Sequence, residues 1–507
     1  MTEVNIWKKF FCTLFGAMFF LCATTIFFNV FVDAYGIYFL PHKVGLNYFP
    51  CKSKNTERLC KPLHFAEKNP SVIFLGNSKA DFSLDGEFFA ELTGREKNSV
   101  YNLAVQNCQI YESRKFLEYA LKLNPDLQKV ILALDFEMFM EGIDFIPGFD
   151  TARLETRHIT RKDFFETALS FDALKANIFS LQQNFIHGYD YKFFTPEGKF
   201  TEKNLEGIFR FEDSFMKNSR NVMMMSRYNA VLPEKKFDEL REIKKICAEK
   251  NIELQAVILP VHVSHLRSYL FDRGTFENWL RQTVEIIPVT SFLDCPEISD
   301  INPDLPLDEN IYFWDSAHVK KIVGDKVLSQ LAGREKNFGR TITPENVDEH
   351  LQKIWGNVKN FAEKNPAAMK KLNYVGTLSE EPPYIGNFAE TNLPVEIKNA
   401  GVGNFPDGKI LRAEGIIELD AERILSAYLL VTDSAGKKFY TMTNRMTIQP
   451  EVMAAETFFD ADKQMHYNFL GETFFDLPPG EYDLKILFLT KTGELFTTPT
   501  LKKVFSQ

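Results

Sequence analysis

The run from Phe10 to Val32 holds 23 residues without a single charge. A helix needs roughly 20 residues to cross the hydrocarbon core of a bilayer, so this run constrains the chain more than any other feature. Lys8 and Lys9 precede it and Asp33 follows it. Basic flanks stay on the cytoplasmic side of a span. Residues 1–9 are therefore expected in the cytoplasm, residues 10–32 in the membrane and everything after Asp33 outside. The apolar part of a cleaved signal peptide is about 7–15 residues long and ends at a small-x-small site. Here Phe27, Phe28, Val30 and Phe31 carry the run onward without such a site, and Cys22 follows Phe20-Leu21 rather than a small residue. The expectation is a single-pass membrane protein with a large extracytoplasmic body.

Hydrophobic residues make up 45% of the 507 and charged residues 25%, which suits a folded body and excludes a disordered or polytopic chain. The net charge of −9, with no long Lys/Arg run, argues against a nucleic-acid partner gripped through its phosphates. Phe is abundant (49 residues), so a Phe-rich core is expected. Disulfides form outside the cytoplasm. Cys51 and Cys60, nine residues apart, are the best pair, with two free thiols as the alternative. Cys12 and Cys22 fall in the span, while Cys108, Cys247 and Cys295 read as single buried residues. The absence of a Cys-x-x-Cys spacing argues against a thiolate metal site, and no cofactor is expected.

Beyond a linker over 33–69, short apolar runs at 71–76, 99–103, 129–135, 254–259 and 288–293 have the length of buried parallel strands. Helical patterns alternate with them at 111–123, 234–250, 275–286 and 319–332. Such alternation predicts an α/β domain over 70–335 with a doubly wound parallel sheet, whose ligands bind at the carboxyl ends of the strands. The 118 residues from 136 to 253 exceed what one crossover needs and read as an inserted helical cap. Residues 336–391 read as a helical linker ending in Glu380-Glu381-Pro382-Pro383. From 392 to 507, short strands between Asp-Gly, Ser-Ala-Gly, Pro-Pro-Gly and Thr-Gly turns point to a β-sandwich. Its aromatics Tyr428, Tyr440, Tyr467, Phe469, Phe474 and Phe475 read as core.

The first strand runs into Gly76-Asn77-Ser78-Lys79. A Ser at that place can direct its Oγ and backbone N–H into the ligand crevice together, although Gly-x-Ser is more often a turn or helix N-cap. Near the far end stands Trp314-Asp315-Ser316-Ala317-His318. His suits general-base work near neutral pH, and an Asp three residues earlier can hold its Nδ1–H. Together the two segments place Ser78, Asp315 and His318 at one edge of one sheet. His262 and His265 follow the fourth strand. No third metal ligand accompanies them, and His262 is the candidate for contacting substrate.

This combination and order resemble the SGNH/GDSL hydrolase superfamily over residues 70–332. More narrowly, they resemble its membrane-anchored cell-envelope branch, DltD-like proteins and polysaccharide O-acetyltransferases. The resemblance takes in Tyr101-Asn102-Leu103-Ala104, Leu134-Asp135-Phe136 and Ile258-Leu259-Pro260-Val261-His262. It implies a flavodoxin-like sheet, Ser78 as nucleophile, His318 as base and Asp315 as its orienter. Two positions depart from the family pattern. Asn107 stands where a Gly N–H usually meets the oxyanion, and Asp135 where an Asn side chain usually donates. An ionised Asp has no hydrogen to donate, so Asp135 is expected to hold a loop or bind a substrate hydroxyl.

The resemblance implies an O-acyltransferase or esterase acting on acyl, most simply acetyl, groups of a cell-envelope polysaccharide. A transferase outside the cytoplasm needs a multi-spanning membrane acyltransferase as its acyl source. The competing expectation is a non-catalytic glycan-binding or assembly protein that keeps the fold. The topology has its own test. Alkaline phosphatase fused after Gln507 should be active, and a fusion at Gln507 active only as a cytoplasmic reporter would overturn the extracytoplasmic reading.

Overall fold

The computed structural model describes residues 3–39, 57–140, 149–187, 194–202, 205–206, 218–220, 222–223, 231–299, 310–384, 388–390, 395–405, 408–420, 423–445, 466–490 and 492–506. Cys51 lies outside them, so the Cys51–Cys60 pairing does too; Cys60 is buried in helix Glu57–Lys68. The chain opens with helix Glu3–Val32, of which Trp7–Val32 is long and apolar enough to cross a membrane, with a mean hydropathy of 2.0.

Six strands build the first sheet: β1 (Val72–Leu75), β2 (Val100–Asn102), β3 (Lys129–Leu134), β4 (Glu253–Ile258), β5 (Val289–Ser291) and β6 (Arg340–Ile342). Their order is β2-β1-β3-β4-β5-β6. The first five run parallel, and β6 closes the edge antiparallel to β5. The five parallel runs fall where the sequence places them, while β6 lies in the stretch expected to be helical linker. Successive side chains of a strand point to opposite faces, and both faces here are covered. Val72, Phe74, Ile131 and Ala133 enter one core, while Ile73, Leu75, Val130 and Leu132 enter the other. Burial on both faces explains why these strands read as unbroken apolar runs. The strand order reverses beside β1, which makes the carboxyl end of β1 the natural crevice.

Helices Ser78–Ser83 and Lys321–Leu331 meet in that region. Gly324 allows the approach: a Cβ there would lie 2.1 Å from the Ser83 carbonyl oxygen.

The C-terminal strands are β7 (Ala389–Glu390), β8 (Val395–Phe405), β9 (Gly408–Asp420), β10 (Ile424–Asp433), β11 (Lys438–Arg445), β12 (His466–Phe474), β13 (Gly480–Thr490), β14 (Leu495–Thr497) and β15 (Lys502–Ser506). The expected sandwich is not what they form. They make one curled, mainly antiparallel sheet, a half-barrel, in the order β7-β14-β13-β10-β11-β12-β9-β8 with β15 on β13. Irregular register at Ile397/Asn399, Ile424/Ser426 and His466/Tyr467 marks bulges, which bend and twist long strands. Leu411, Ile417, Leu429 and Phe488 fill a core on one side of the sheet. On the other side Tyr428, Leu430, Tyr440 and Met442 join the α/β core with Leu372 and Tyr374. With both sides occupied, no second sheet is needed. Tyr428, Tyr440, Phe469, Phe474 and Phe475 are buried, as core residues should be; the Tyr467 side chain lies outside the described ones. The segment before Glu380 is fastened as well: Ser379 and Tyr440 exchange backbone hydrogen bonds of 2.9 and 2.8 Å.

The helix contact at Gly324 yields a stability prediction. Gly324→Ala should lower the thermal midpoint by several degrees, since overpacking costs about 1–3 kcal/mol. Gly274→Ala, in a helix where the added Cβ meets nothing within 4 Å, should leave it level or raise it. Equal midpoints for the two variants, measured on the full chain in detergent, would refute the close contact.

Candidate active site

Strand β1 ends at Leu75, and the chain turns at Gly76 with φ +146°. A Cβ at Gly76 would stand 2.9 Å from both the Cβ and the carbonyl oxygen of Ala133, so only glycine fits. Asn77 follows as the N-cap: its Oδ1 accepts the Lys79 N–H at 3.0 Å and starts helix Ser78–Ser83. Ser78 is the first residue of that helix and is half-buried.

The partner segment is a tight loop. Phe313 and Val319 pair as a bridge, and the Trp314 N–H donates to the His318 carbonyl at 2.8 Å. Within it, Asp315 Oδ1 accepts the N–H groups of Ala317 and His318 at 2.7 and 2.8 Å. The Asn218 side-chain amide donates to Asp315 Oδ2. The Asp315 carboxylate is fully buried and meets His318 Nδ1 at 2.9 Å through each oxygen. On the opposite side of the ring, His318 Nε2 lies 2.8 Å from Ser78 Oγ. A carboxylate accepts only, so the ring proton belongs on Nδ1. The Nε2 lone pair then faces the Ser78 hydroxyl, the geometry in which an imidazole withdraws a proton from a nucleophile. Phe82 packs on the His318 ring, centroids 4.8 Å apart. Phe82 also clusters with Trp314 and with Phe179, Phe194, Phe200 and Leu205 of the insertion.

The three residues expected at the sheet edge therefore come together, although 240 positions separate Ser78 from His318. The three expected around the oxyanion and substrate behave differently from one another. Asn107 is exposed in the loop after β2 and takes a left-handed φ of 54°. That loop is tied to the turn before Ser78, for the Val105 N–H donates to the Gly76 carbonyl at 3.1 Å. Asp135 is buried at the end of β3 with its carboxylate committed: Oδ2 lies 2.7 Å from Lys79 Nζ and accepts from Asn77 Nδ2 at 2.7 Å. It thus holds both chain neighbours of Ser78. His262 requires a correction, because it does not line the crevice. It is fully buried as the N-cap of helix Val263–Ser268, with Nδ1 accepting the Ser264 N–H at 3.1 Å and its ring edge-on to Phe313 and Phe361.

A polar cluster that sequence reasoning missed lies behind Ser78. Burial alone would lower the Lys79 pKa, but Asp135 and Glu137 outweigh it and raise it. Burial pushes the Asp135 carboxyl up, and the nearby Glu137 charge adds to this against the pull of Lys79. Burial would raise Glu137 too, yet Lys79 and hydrogen bonds from His265 and Tyr269 hold it below the usual carboxylate range. Burial first, then Lys79, lower the His265 pKa, so its ring is neutral beside Tyr269 Oη at 3.0 Å. The signal available in the sequence was Lys79 itself, a charge next to a Ser at the mouth of an apolar strand. Its partners Asp135 and Glu137 lie more than fifty residues away. Among the described residues no group of three or more His, Cys, Asp or Glu side chains is placed to hold a metal ion.

Compared with protein-family models and with curated proteins, the chain matches none. Among solved structures, one similarity is to the Pseudomonas fluorescens alkylpurine DNA glycosylase AlkC bound to DNA containing an abasic site analog. It has 10% identity over 69% of this chain and 87% of that one, with a TM-score of 0.12, too low to bear on fold or function.

The Asp135 geometry makes a prediction. Breaking a buried ion pair by neutralising one partner costs about 3–5 kcal/mol, because the other charge is stranded. Asp135→Asn should therefore lower the thermal midpoint markedly, since Lys79 then keeps only Glu137 at 3.9 Å, and Lys79→Met, which leaves both buried carboxylates without their cation, should lower it further. A single variant that melts like the wild type would show that the carboxylate is not the partner of Lys79.

Proposed function

We propose that this protein is a membrane-anchored, SGNH-like O-acyltransferase or esterase that uses Ser78, His318 and Asp315 on acyl groups of a cell-envelope polysaccharide. The observation that carries the reading is the unbroken relay from the Asp315 carboxylate through the His318 ring to Ser78 Oγ, with links of 2.9 and 2.8 Å. The Gly76 turn and the strand order, which opens the crevice beside β1, support it. So does the apolar helix ahead of the body, uncharged from Phe10 to Val32.

In this mechanism Ser78 Oγ attacks the acyl carbonyl while His318 Nε2 takes the hydroxyl proton. The Oγ–carbon bond forms, and His318 returns the proton to the departing oxygen as the bond to the donor breaks. Asp315 keeps the ring in the right tautomer and offsets the positive charge that it gains. A glycan hydroxyl, or water in the esterase version, then gives its proton to His318 and attacks the acyl-enzyme. The acceptor oxygen takes the acyl group, and Ser78 recovers its hydrogen. As a transferase the protein works beside a multi-spanning membrane acyltransferase that supplies the acyl group from the cytoplasm. The non-catalytic reading draws its support from Asp135, which occupies an oxyanion position of the family and is spent on Lys79 and Asn77.

A serine-directed fluorophosphonate probe separates the two. The wild-type chain should be labelled, Ser78→Ala should not, and His318→Ala should be slowed by orders of magnitude because nucleophile and base act as a unit. Asp315→Asn should fall between, since a neutral partner permits the wrong tautomer. Labelling that persists in Ser78→Ala, or that never occurs in the folded wild type, would leave the scaffold reading.

A further inference from the structure

The apolar helix does not end where the body begins. From Trp7 to Thr24 its side chains are exposed, whereas Asn29, Val32 and Asp33 are buried. What covers them is the helix pair Arg161–Ala168 and Phe171–His187. Asn29 Nδ2 donates to the Ala168 carbonyl at 3.0 Å. Asn177 Nδ2 donates to Asn29 Oδ1 at 3.0 Å, and Asn177 Oδ1 accepts the Ala34 N–H at 2.8 Å. These buried bonds fix the pair to the last turn of the apolar helix as one block.

The register of that block against a bilayer follows from length. Phe10 to Asn29 is 20 residues, and at about 1.5 Å per residue this fills a hydrocarbon core of about 30 Å. Asn29 then sits at the boundary, and the turn at Leu169-Ser170, next to its Ala168 partner, sits there as well. Among the described residues, ten large apolar side chains outside the apolar helix stand exposed, and four of them, Phe165, Leu169, Phe171 and Phe185, belong to this helix pair. Phe165 is 59% and Phe171 68% exposed, on either side of the turn. Exposed aromatic side chains beside the end of a spanning helix suit the headgroup and upper acyl region.

We infer that the helix pair 161–187 is a membrane seat: Phe165, Leu169 and Phe171 enter the lipid surface and fix the height of the candidate site above the bilayer. This rests on the reading of Trp7–Val32 as a span. The consequence for the site comes from two residues of one helix. Asn177 binds the end of the span, and Phe179, about 3 Å further along the axis, joins Phe82 and Trp314 in the cluster beside His318. The Ser78 crevice is thereby held close to the membrane plane, where a membrane-borne acyl donor can reach it.

The test uses the full chain, with Cys12, Cys22 and Cys51 replaced by Ala, reconstituted into phosphatidylcholine vesicles without other proteins. A fluorophore is attached to a single introduced cysteine in Phe165→Cys, Phe171→Cys, Phe19→Cys or Phe505→Cys. All four positions are exposed, so the changes cost only surface contacts, such as Lys175 over the Phe171 ring. Lipids with a nitroxide near the headgroup should quench labels at 165 and 171 at least several-fold more than at 505. A nitroxide deep in the chain should quench the label at 19. If 19 is quenched by lipid while 165 and 171 respond only to aqueous iodide like 505, the seat is refuted and the span stands. If 19 is equally open to iodide, the span itself fails, and the seat with it.

Discussion

A helix of six residues carries the candidate nucleophile, and such a helix does not hold itself. Ser78–Ser83 is too short to be stable alone, so its position depends on what grips it from outside. Two buried ion pairs do so from different elements. Lys79 reaches Asp135 at the end of β3 at 2.7 Å, and Asp81 is met by Lys61 of helix Glu57–Lys68 at 2.6 Å. Buried pairs are costly to desolvate and seldom add net stability. Their value lies in directionality, because each charge admits only one arrangement of its surroundings. With Lys79 turned toward β3 and Asp81 toward Lys61, Ser78 is left facing His318. Gly324 and Gly76 contribute the steric half of the same constraint, by letting neighbouring backbones approach where a side chain would intrude.

The parts of this arrangement differ in how far sequence reveals them. The five parallel strands were legible because burial on both faces writes an unbroken apolar run into each. Ser78, Asp315 and His318 were legible as two short local patterns, Gly-x-Ser directly after β1 and Asp-x-x-His in the chain after β5. His262 misled for the same reason: a His just past a strand looks like a crevice residue, and only the fold shows its ring between Phe313 and Phe361. Lys79–Asp135 and Lys61–Asp81 span 56 and 20 residues and leave no periodic trace. The half-barrel was read as a sandwich because turn spacing counts strands without saying which pair. The long-range pairings of β13 with β10 and of β12 with β9 are invisible to that count. Strand β6 is three residues long and sits amid a helical pattern, below what periodicity resolves.

The segment that follows the apolar helix brings these threads together. Helix Glu57–Lys68 holds helix Ser78–Ser83 through Lys61, and the loop before Asn107 through Glu57 and Arg58. The Gln106 N–H donates to Glu57 Oε1, and Arg58 Nη2 donates to the Gln106 carbonyl, each at 2.9 Å. Burial, reinforced by the Asp81 charge, pushes the Glu57 carboxyl up to about 8, so it is mostly protonated at neutral pH. Burial raises Asp81 and Glu112 too, but each faces its own cation, Lys61 at 2.6 Å and Arg58 at 2.8 Å. With Glu57 neutral, two cations face two carboxylates and the cluster is balanced. A balanced buried cluster resists displacement, because moving any member strands a charge. The same helix packs on the segment just beyond the apolar helix, since Cys60 and Leu63 share a core with Ala34, Tyr35 and Ile37. One short element thus links the segment leaving the apolar helix to the Ser78–Ser83 helix on one side and to the loop before Asn107 on the other.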